Sequence, residues 1–151
     1  MSAATAKAIP AAGYSAKSLP EKLGYKPGMA AGFIALPCHL DALVAAVGFS
    51  SVTSADGWAE FPARAGAYDV IHVFAMKAGE IETGLALLQS AIKRDGMIWL
   101  SWPKKTSGIV CDVSESLVRA AALKLDLVDV KVAAIDAVWS SLKFVIPRDR
   151  R

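Results

Sequence analysis

The chain has few of the residues on which several common functions depend. It contains two cysteines, Cys38 and Cys111, far apart in 151 residues. This spacing predicts neither a disulfide framework nor a zinc site, and we expect both thiols to be buried. Only two histidines are present, and no third ligand lies at a plausible spacing, so no metal is predicted. The sequence also lacks a Gly-x-Ser-x-Gly elbow and a P-loop, which argues against the hydrolases and nucleotide-binding proteins that those motifs define.

An excess of charge and a long apolar run are also missing. Charged residues make up 21% of the chain, and the net charge is +3. Three arginines crowd the last four positions, so the rest is about neutral and composition does not predict nucleic-acid binding. Apolar residues reach 54%, yet charges interrupt every apolar run before the roughly 18 residues that a bilayer requires. We therefore expect a cytoplasmic protein with a sheet buried on both faces.

The length suits one domain with a substantial core. Residues 1–13 are rich in alanine and lack both the basic start and the apolar block of a signal peptide, so we predict a flexible N-terminal tail. Residues 14–147 are predicted to form a single α/β domain. Residues 148–151 are predicted to form a basic C-terminal tail.

The central stretch of the chain reads as a strand, a helix, a second strand and a basic loop. Residues 68–74 have apolar side chains on both faces, at Val70, Ile71, Val73 and Phe74, which is typical of a strand covered by helices on both sides. Residues 80–94 carry an apolar stripe at helical spacing, and Gly96 follows as a predicted C-terminal cap. Residues 97–102 form the next predicted strand. A strand-helix-strand unit of this length is typical of a parallel sheet.

The remaining pattern extends this sheet on both sides. The loop 136–141 is too short for a crossover, so the last two strands are predicted to form an antiparallel hairpin. The overall prediction is a three-layer Rossmann-like α/β fold, with a mostly parallel sheet and a C-terminal antiparallel β-hairpin. Further strands are predicted at residues 29–36, 49–54, 128–132 and 142–146, and helices begin at a capping box on Ser18, at His39 and at Ser114.

Two short segments resemble the class I S-adenosylmethionine-dependent methyltransferases. Residues 23–29 (LGYKPGM) are similar to the lead-in to the first strand of those enzymes, and residues 91–98 (AIKRDGMI) to the turn before their fifth strand. A closer resemblance is to the bacterial family called domain of unknown function 3052. The blocks that carry it are GYSAKSLPEKLGYKPGM, YDVIHVF, DGMIWLSWPKKTSG and LVDVKVAAIDAVWSSLKFVIP. That resemblance implies a small methyltransferase-like fold without an established activity.

The chain departs from a working methyltransferase at three places. The cofactor loop of that family needs glycines, and residues 36–40 contain none. Asp56 lies at about the distance of the acid that holds the ribose hydroxyls, although an Asp before a Gly is also typical of a turn. No Asn or Asp with a double proline follows residue 74. We therefore expect weak binding of S-adenosylmethionine, no cofactor, and a non-catalytic binding or regulatory protein. The alternatives are a divergent methyltransferase and a structural, oligomeric scaffold subunit.

The basic loop after residue 101 is the predicted ligand site. Lys104 and Lys105 supply ammonium groups, Ser107 supplies a hydroxyl, and Trp102 supplies an aromatic wall, which together suit a small anionic ligand. The carboxyl edge of an α/β sheet is also where ligands usually bind. A solvated surface loop with two lysines is the alternative.

The two histidines have different predictions. His39 follows the first strand at the same edge of the sheet as Lys104, so it is included in the predicted ligand site. His72 lies between apolar neighbours and is predicted to be a hydrogen-bonded core residue. The partners left open are a small anionic ligand, a protein, and a second copy of the chain through an edge of the sheet. Neither nucleic acid nor membrane is expected.

Overall fold

The computed structural model describes residues 18–151. The predicted tail, residues 1–13, and the first positions of the predicted domain lie outside this range. One six-stranded sheet has the order β2-β1-β3-β4-β6-β5. Its first four strands in this order are parallel, and β6 is antiparallel to both of its neighbours. The strands are β1 (Ala30–Ile34), β2 (Ser51–Ala55), β3 (Tyr68–Phe74), β4 (Ile92–Pro103), β5 (Val128–Ala134) and β6 (Trp139–Val145).

Helices cover both faces of the sheet and confirm the predicted three-layer Rossmann-like fold with its C-terminal hairpin. The longest helix has 14 residues. Within residues 18–151, no helix combines the length and the apolar character needed to cross a membrane. The α-helices are α1 (Leu19–Lys22), α2 (Ala78–Ala91) and α3 (Glu115–Leu123), and 3₁₀ helices lie at Cys38–Ala45, Lys105–Ser107 and Arg148–Arg150.

The core consists of two apolar clusters, one on each face of the sheet. Side chains alternate along β3, so Ile71 and Val73 pack in the cluster with α2 and α3, while Val70 and Phe74 pack in the other. The second cluster contains Leu40 from the first 3₁₀ helix, Leu19 of α1 and Leu23 directly after α1. Because the central strands are buried on both faces, their apolar character accounts for the high apolar content.

Local sequence signals fix the starts of two α-helices, α1 and α3. Ser18 and Glu21 form the predicted capping box, in which each side chain bonds to the other residue's backbone N–H. Ser114 caps α3 by accepting a hydrogen bond from the N–H of Leu117 at 3.2 Å. Both predicted caps are confirmed.

The end of α2 differs from the prediction. The helix stops at Ala91 because Ile92 already pairs with Tyr68 in the sheet. Gly96 is therefore not a helix cap but lies within β4, where a Cβ would come within 3.0 Å of the carbonyl oxygen of Asp69. Sheet pairing replaces the last helical turn that the apolar stripe predicted.

A chain of buried hydrogen bonds crosses the sheet on the α1 side. The hydroxyl of Tyr25 lies 2.6 Å from Nδ1 of His72, and Nε2 of His72 lies 2.7 Å from Oγ of Ser101. Oγ of Ser101 lies 2.9 Å from Oγ of Ser141, which lies 3.1 Å from the carbonyl oxygen of Leu100. His72, Ser101 and Ser141 are completely buried, so the prediction of a hydrogen-bonded core histidine is confirmed.

The last acceptor fixes the direction of every bond in this chain. A carbonyl oxygen only accepts, so Ser141 donates to Leu100 and must accept from Ser101. Ser101 then accepts from Nε2–H of His72, which leaves Nδ1 bare to accept from Tyr25. Burial lowers the pKa of His72 from 6.5 to about 3. The imidazole is therefore neutral and carries its proton on Nε2.

Candidate functional site

The carboxyl ends of five strands, β1 to β5, lie at one edge of the sheet. Strands β1, β3 and β4 are parallel, and β5 runs in the same direction because β6 is antiparallel to both β4 and β5. The segments that follow these strands therefore lie side by side, at the edge where α/β proteins usually bind ligands.

Asp136 is at the centre of the polar groups at this edge. It is only 6% exposed and lies in the turn between β5 and β6. One carboxylate oxygen accepts from the backbone N–H groups of Val138 and Trp139, both at 2.8 Å. The other lies 2.7 Å from Nε2 of His39. Burial alone would raise the pKa of Asp136, but the hydrogen bonds from His39, Trp139 and Val138 lower it below its usual value.

Lys104 joins the same cluster from the end of β4. Its backbone N–H donates to the carbonyl of Val138 at 2.7 Å, and its Nζ donates to the carbonyl of Asp136 at 2.9 Å. The structure thus brings together two residues of the predicted site, His39 and Lys104, through an aspartate that sequence analysis placed only in a loop. The signal that would have found Asp136 is an acid directly after a strand that ends at this edge.

The other predicted site residues lie differently. Trp102 is 6% exposed and packs in the cluster with α2 and α3, so it does not form the aromatic wall expected of it. Ser107 is half-buried, and its Oγ accepts from the N–H of Ile109 at 3.1 Å. Lys105 is exposed and, with Lys104, lines a shallow cleft of about 390 Å³ beside residues 109–114. This cleft is separate from the Asp136 contacts except through Lys104.

The two cysteines have different exposures. Cys111 is half-buried, and its Sγ contacts the carbonyl oxygens of Pro103 and Val113. Cys38 is exposed in the first turn of the 3₁₀ helix, so the prediction that both thiols are buried is wrong for Cys38. Within residues 18–151, no group of three or more His, Cys, Asp or Glu side chains is arranged to hold a metal ion.

The turn after β1 keeps an unusual backbone conformation. Ala35 has φ = +56°, in the left-handed region that glycine normally occupies. Its N–H donates to the carbonyl of Ala55 at 2.8 Å, so this turn lies directly beside the end of β2. Asp56 follows there, exposed, and no hydrogen bond or ion pair to its carboxylate is found among the described residues. A glycine-like turn and a free acid thus lie at neighbouring strand ends.

Trp58, two residues after Asp56 in the sequence, lines a cleft against α2. The indole of Trp58 lies against Gly84 of α2, where an added Cβ would be 2.3 Å from the ring. The indole N–H of Trp58 is buried without a hydrogen-bond partner in the structure. The cleft has a volume of about 360 Å³, and its lining also includes Phe61, Glu80 and Thr83. No motif in the sequence marks Trp58 as a site residue.

Comparison with known proteins relates the chain to one fold. Neither a family model nor a curated protein sequence matches it. An S-adenosylmethionine-dependent methyltransferase from Aquifex aeolicus superposes with a TM-score of 0.66 and 15% identity, over 85% of this chain and 89% of that one. Magnesium protoporphyrin IX methyltransferase from Synechocystis PCC 6803 gives 0.62 and 14%, over 84% and 74%. Precorrin-6y C5,15-methyltransferase from Geobacter metallireducens gives 0.61 and 9%, over 93% and 95%.

These similarities define a methyltransferase-like Rossmann fold. At such low identity they establish the fold and not the reaction. They nevertheless overturn the leading expectation of a non-catalytic binding or regulatory protein, because the similar structures are consistently methyltransferases. The divergent methyltransferase, which the sequence left as an alternative, is the better-supported interpretation.

Proposed function

We propose that the chain is a divergent S-adenosylmethionine-dependent methyltransferase. The carrying observation is the left-handed turn at Ala35, which bonds to the end of β2 directly beside the exposed, unpaired carboxylate of Asp56. Both lie by the edge at which a Rossmann-like sheet binds nucleotides. The proposal includes membership of the domain of unknown function 3052 family, which the sequence blocks given above support. It also includes a cytoplasmic location.

The residues after β2 fit the adenosine half of the cofactor. A carboxylate at this strand end is suited to accept hydrogen bonds from ribose hydroxyls. The ring of Trp58 lines a cleft of about 360 Å³ beside α2 and offers an aromatic surface against which a purine would pack. When bound, S-adenosylmethionine supplies an electrophilic methyl group, and Asp56 and Trp58 hold its adenosine.

The turn after β1 fits the remainder of the cofactor less closely. Ala35 retains the left-handed conformation, but the next residues carry side chains that a glycine loop would lack. Pro37 has no N–H to donate, and it directly precedes the 3₁₀ helix. The expectation of weak binding therefore stays a prediction that accompanies the proposal.

Isothermal titration of the full chain with S-adenosylhomocysteine tests this proposal. We expect saturable binding that Asp56→Asn weakens about tenfold or more, because hydrogen bonds to a charged acceptor are worth about 1.5–3 kcal/mol. Asp95→Asn is the matched control, since Asp95 is exposed between α2 and the buried part of β4, at the opposite edge of the sheet. No saturable binding by the wild type would reject the function. Equal binding by Asp56→Asn would reject the assigned site.

A further inference from the structure

His39 and Asp136 form an oriented pair rather than a casual surface contact. They are 97 positions apart in sequence, and the side chain of Asp136 is only 8% exposed. Two backbone N–H groups fix one carboxylate oxygen of Asp136, so the other is held towards His39. Ion pairs between two exposed side chains are worth little because both groups move and are hydrated. Here one partner is immobile and desolvated.

The pair leaves one nitrogen of the imidazole available. The low pKa of Asp136 keeps it an acceptor, so Nε2 of His39 carries the proton that it donates. Nδ1 is then bare when the ring is neutral, and it has no partner within the described part of the chain. The side chain of His39 is 54% exposed. A bare ring nitrogen therefore faces accessible space at the carboxyl edge of the sheet.

Contacts from two other strands make the turn under this pair rigid. Lys104 holds it through the carbonyls of Asp136 and Val138. Trp139, the first residue of β6, packs edge-to-face on Phe74 at the end of β3, with ring centroids 5.1 Å apart. The base of the turn is thus fixed to β3 and β4, and His39 reaches it from the segment after β1.

We infer that His39 is the general base of the proposed methyl transfer, with Asp136 as its positioning residue. The inference rests on the proposed function and names the substrate class, an acceptor whose hydroxyl or amine loses a proton on methylation. The acceptor exchanges that proton for the methyl group, and the electron pair of the broken carbon–sulfur bond leaves with the sulfur. The proton passes to Nδ1 of His39, so atoms and charge balance. Asp136 stabilises the imidazolium that forms.

A nitrogen NMR experiment tests the geometry without any turnover. The chain has only two histidines, so a His39→Gln variant assigns both imidazoles. We expect neutral His39 in the full chain to carry its proton on Nε2, and Asp136→Asn to shift it towards a mixture of the two tautomers. A proton found on Nδ1 in the wild type would overturn the inference, because that nitrogen would not be free to accept.

Release of S-adenosylhomocysteine, measured over a panel of small phenols, alcohols and amines, tests the chemistry. We expect His39→Gln to lower kcat about 100-fold or more while its affinity for S-adenosylhomocysteine is unchanged. Asp136→Asn should lower kcat and leave KM unchanged. Asp41→Asn is the control, because Asp41 is an exposed carboxylate in the same 3₁₀ helix.

The outcomes separate this inference from the proposed function. If S-adenosylhomocysteine binds but no hydroxyl or amine acceptor is methylated, the inference is overturned and the cofactor site stands. Unchanged kcat in His39→Gln would also overturn the inference and leave the cofactor site standing. If S-adenosylhomocysteine does not bind at all, both are overturned. His39 is exposed, so its variant is expected to fold even if Asp136→Asn does not.

Discussion

The buried histidine of β3 predicts an unusual loss of stability in mild acid. His72 has a pKa of about 3 in the folded chain, because burial disfavours its charged form, and 6.5 is its ordinary value. The unfolded chain therefore binds a proton on His72 at pH values where the folded chain does not. Stability is highest above about pH 6.5 and falls as the pH drops towards about 3, since the proton favours unfolding.

The magnitude follows from the two values. A difference of about 3.5 in pKa corresponds to a total loss of about 5 kcal/mol, which is complete only at a pH below both values. By about pH 5, roughly 2 kcal/mol of this should already be lost. That is a large fraction of the 5–15 kcal/mol that stabilises a typical domain.

Urea unfolding between about pH 8 and about pH 5 measures this effect in the wild type and in His72→Gln. The variant should be less stable at about pH 8, because Tyr25 loses its acceptor, but its free energy of unfolding should fall about 2 kcal/mol less on acidification. The carboxylates contribute equally to both chains, so the difference isolates His72. If the variant does not fold, proton NMR of the wild type decides the question. A folded-state His72 resonance that titrates near pH 6.5 would refute the reasoning.

Two further predictions concern the helices and use matched pairs of substitutions. Gly84→Ala should destabilise the fold by about 1–3 kcal/mol, because its Cβ would lie 2.3 Å from the Trp58 ring, whereas Gly79→Ala in the same helix meets nothing within 4 Å and should stabilise it by up to about 1 kcal/mol. Thermal unfolding of both variants checks this prediction, and the same Tm for Gly84→Ala and Gly79→Ala would contradict it. Ser114→Ala should cost about 1 kcal/mol through loss of the α3 cap, and Ser116→Ala, an exposed position in α3, should be neutral. Urea midpoints that coincide for these two variants would show that the cap contributes nothing.

Local signals in the sequence predict much of this fold. Strand β3 is continuous and apolar, and its predicted limits, residues 68–74, agree with the structure. The capping box at Ser18 and the cap at Ser114 are equally local, because their bonds join residues three apart. The end of α2 could not be predicted in this way. It depends on the pairing of Ile92 with Tyr68, a contact between distant residues that overrides the helical pattern.

The candidate site was likewise predicted only in part from the sequence. His39 and Lys104 were predicted from their positions after strands, since carboxyl ends share an edge. Asp136 was missed because its partner His39 lies 97 residues away and its burial depends on the hairpin turn. The orphaned N–H of Trp58 is also a property of packing, because it depends on how the ring lies against Gly84. No pattern within a short window of sequence contains that information.

The directed chain of hydrogen bonds from Tyr25 to Leu100 also has a consequence for how the strands find their partners. His72 on β3, Ser101 on β4 and Ser141 on β6 meet only in the native alignment, in which Phe74 pairs with Ser101 and Ser101 with Ser141. A slip of one residue would turn every side chain of a strand to the opposite face and leave these groups buried without partners. Neighbouring apolar side chains would tolerate such a slip far better. The polar groups therefore favour the native alignment of these three strands over shifted ones. The apolar side chains at the centre of the sheet would specify that alignment poorly on their own.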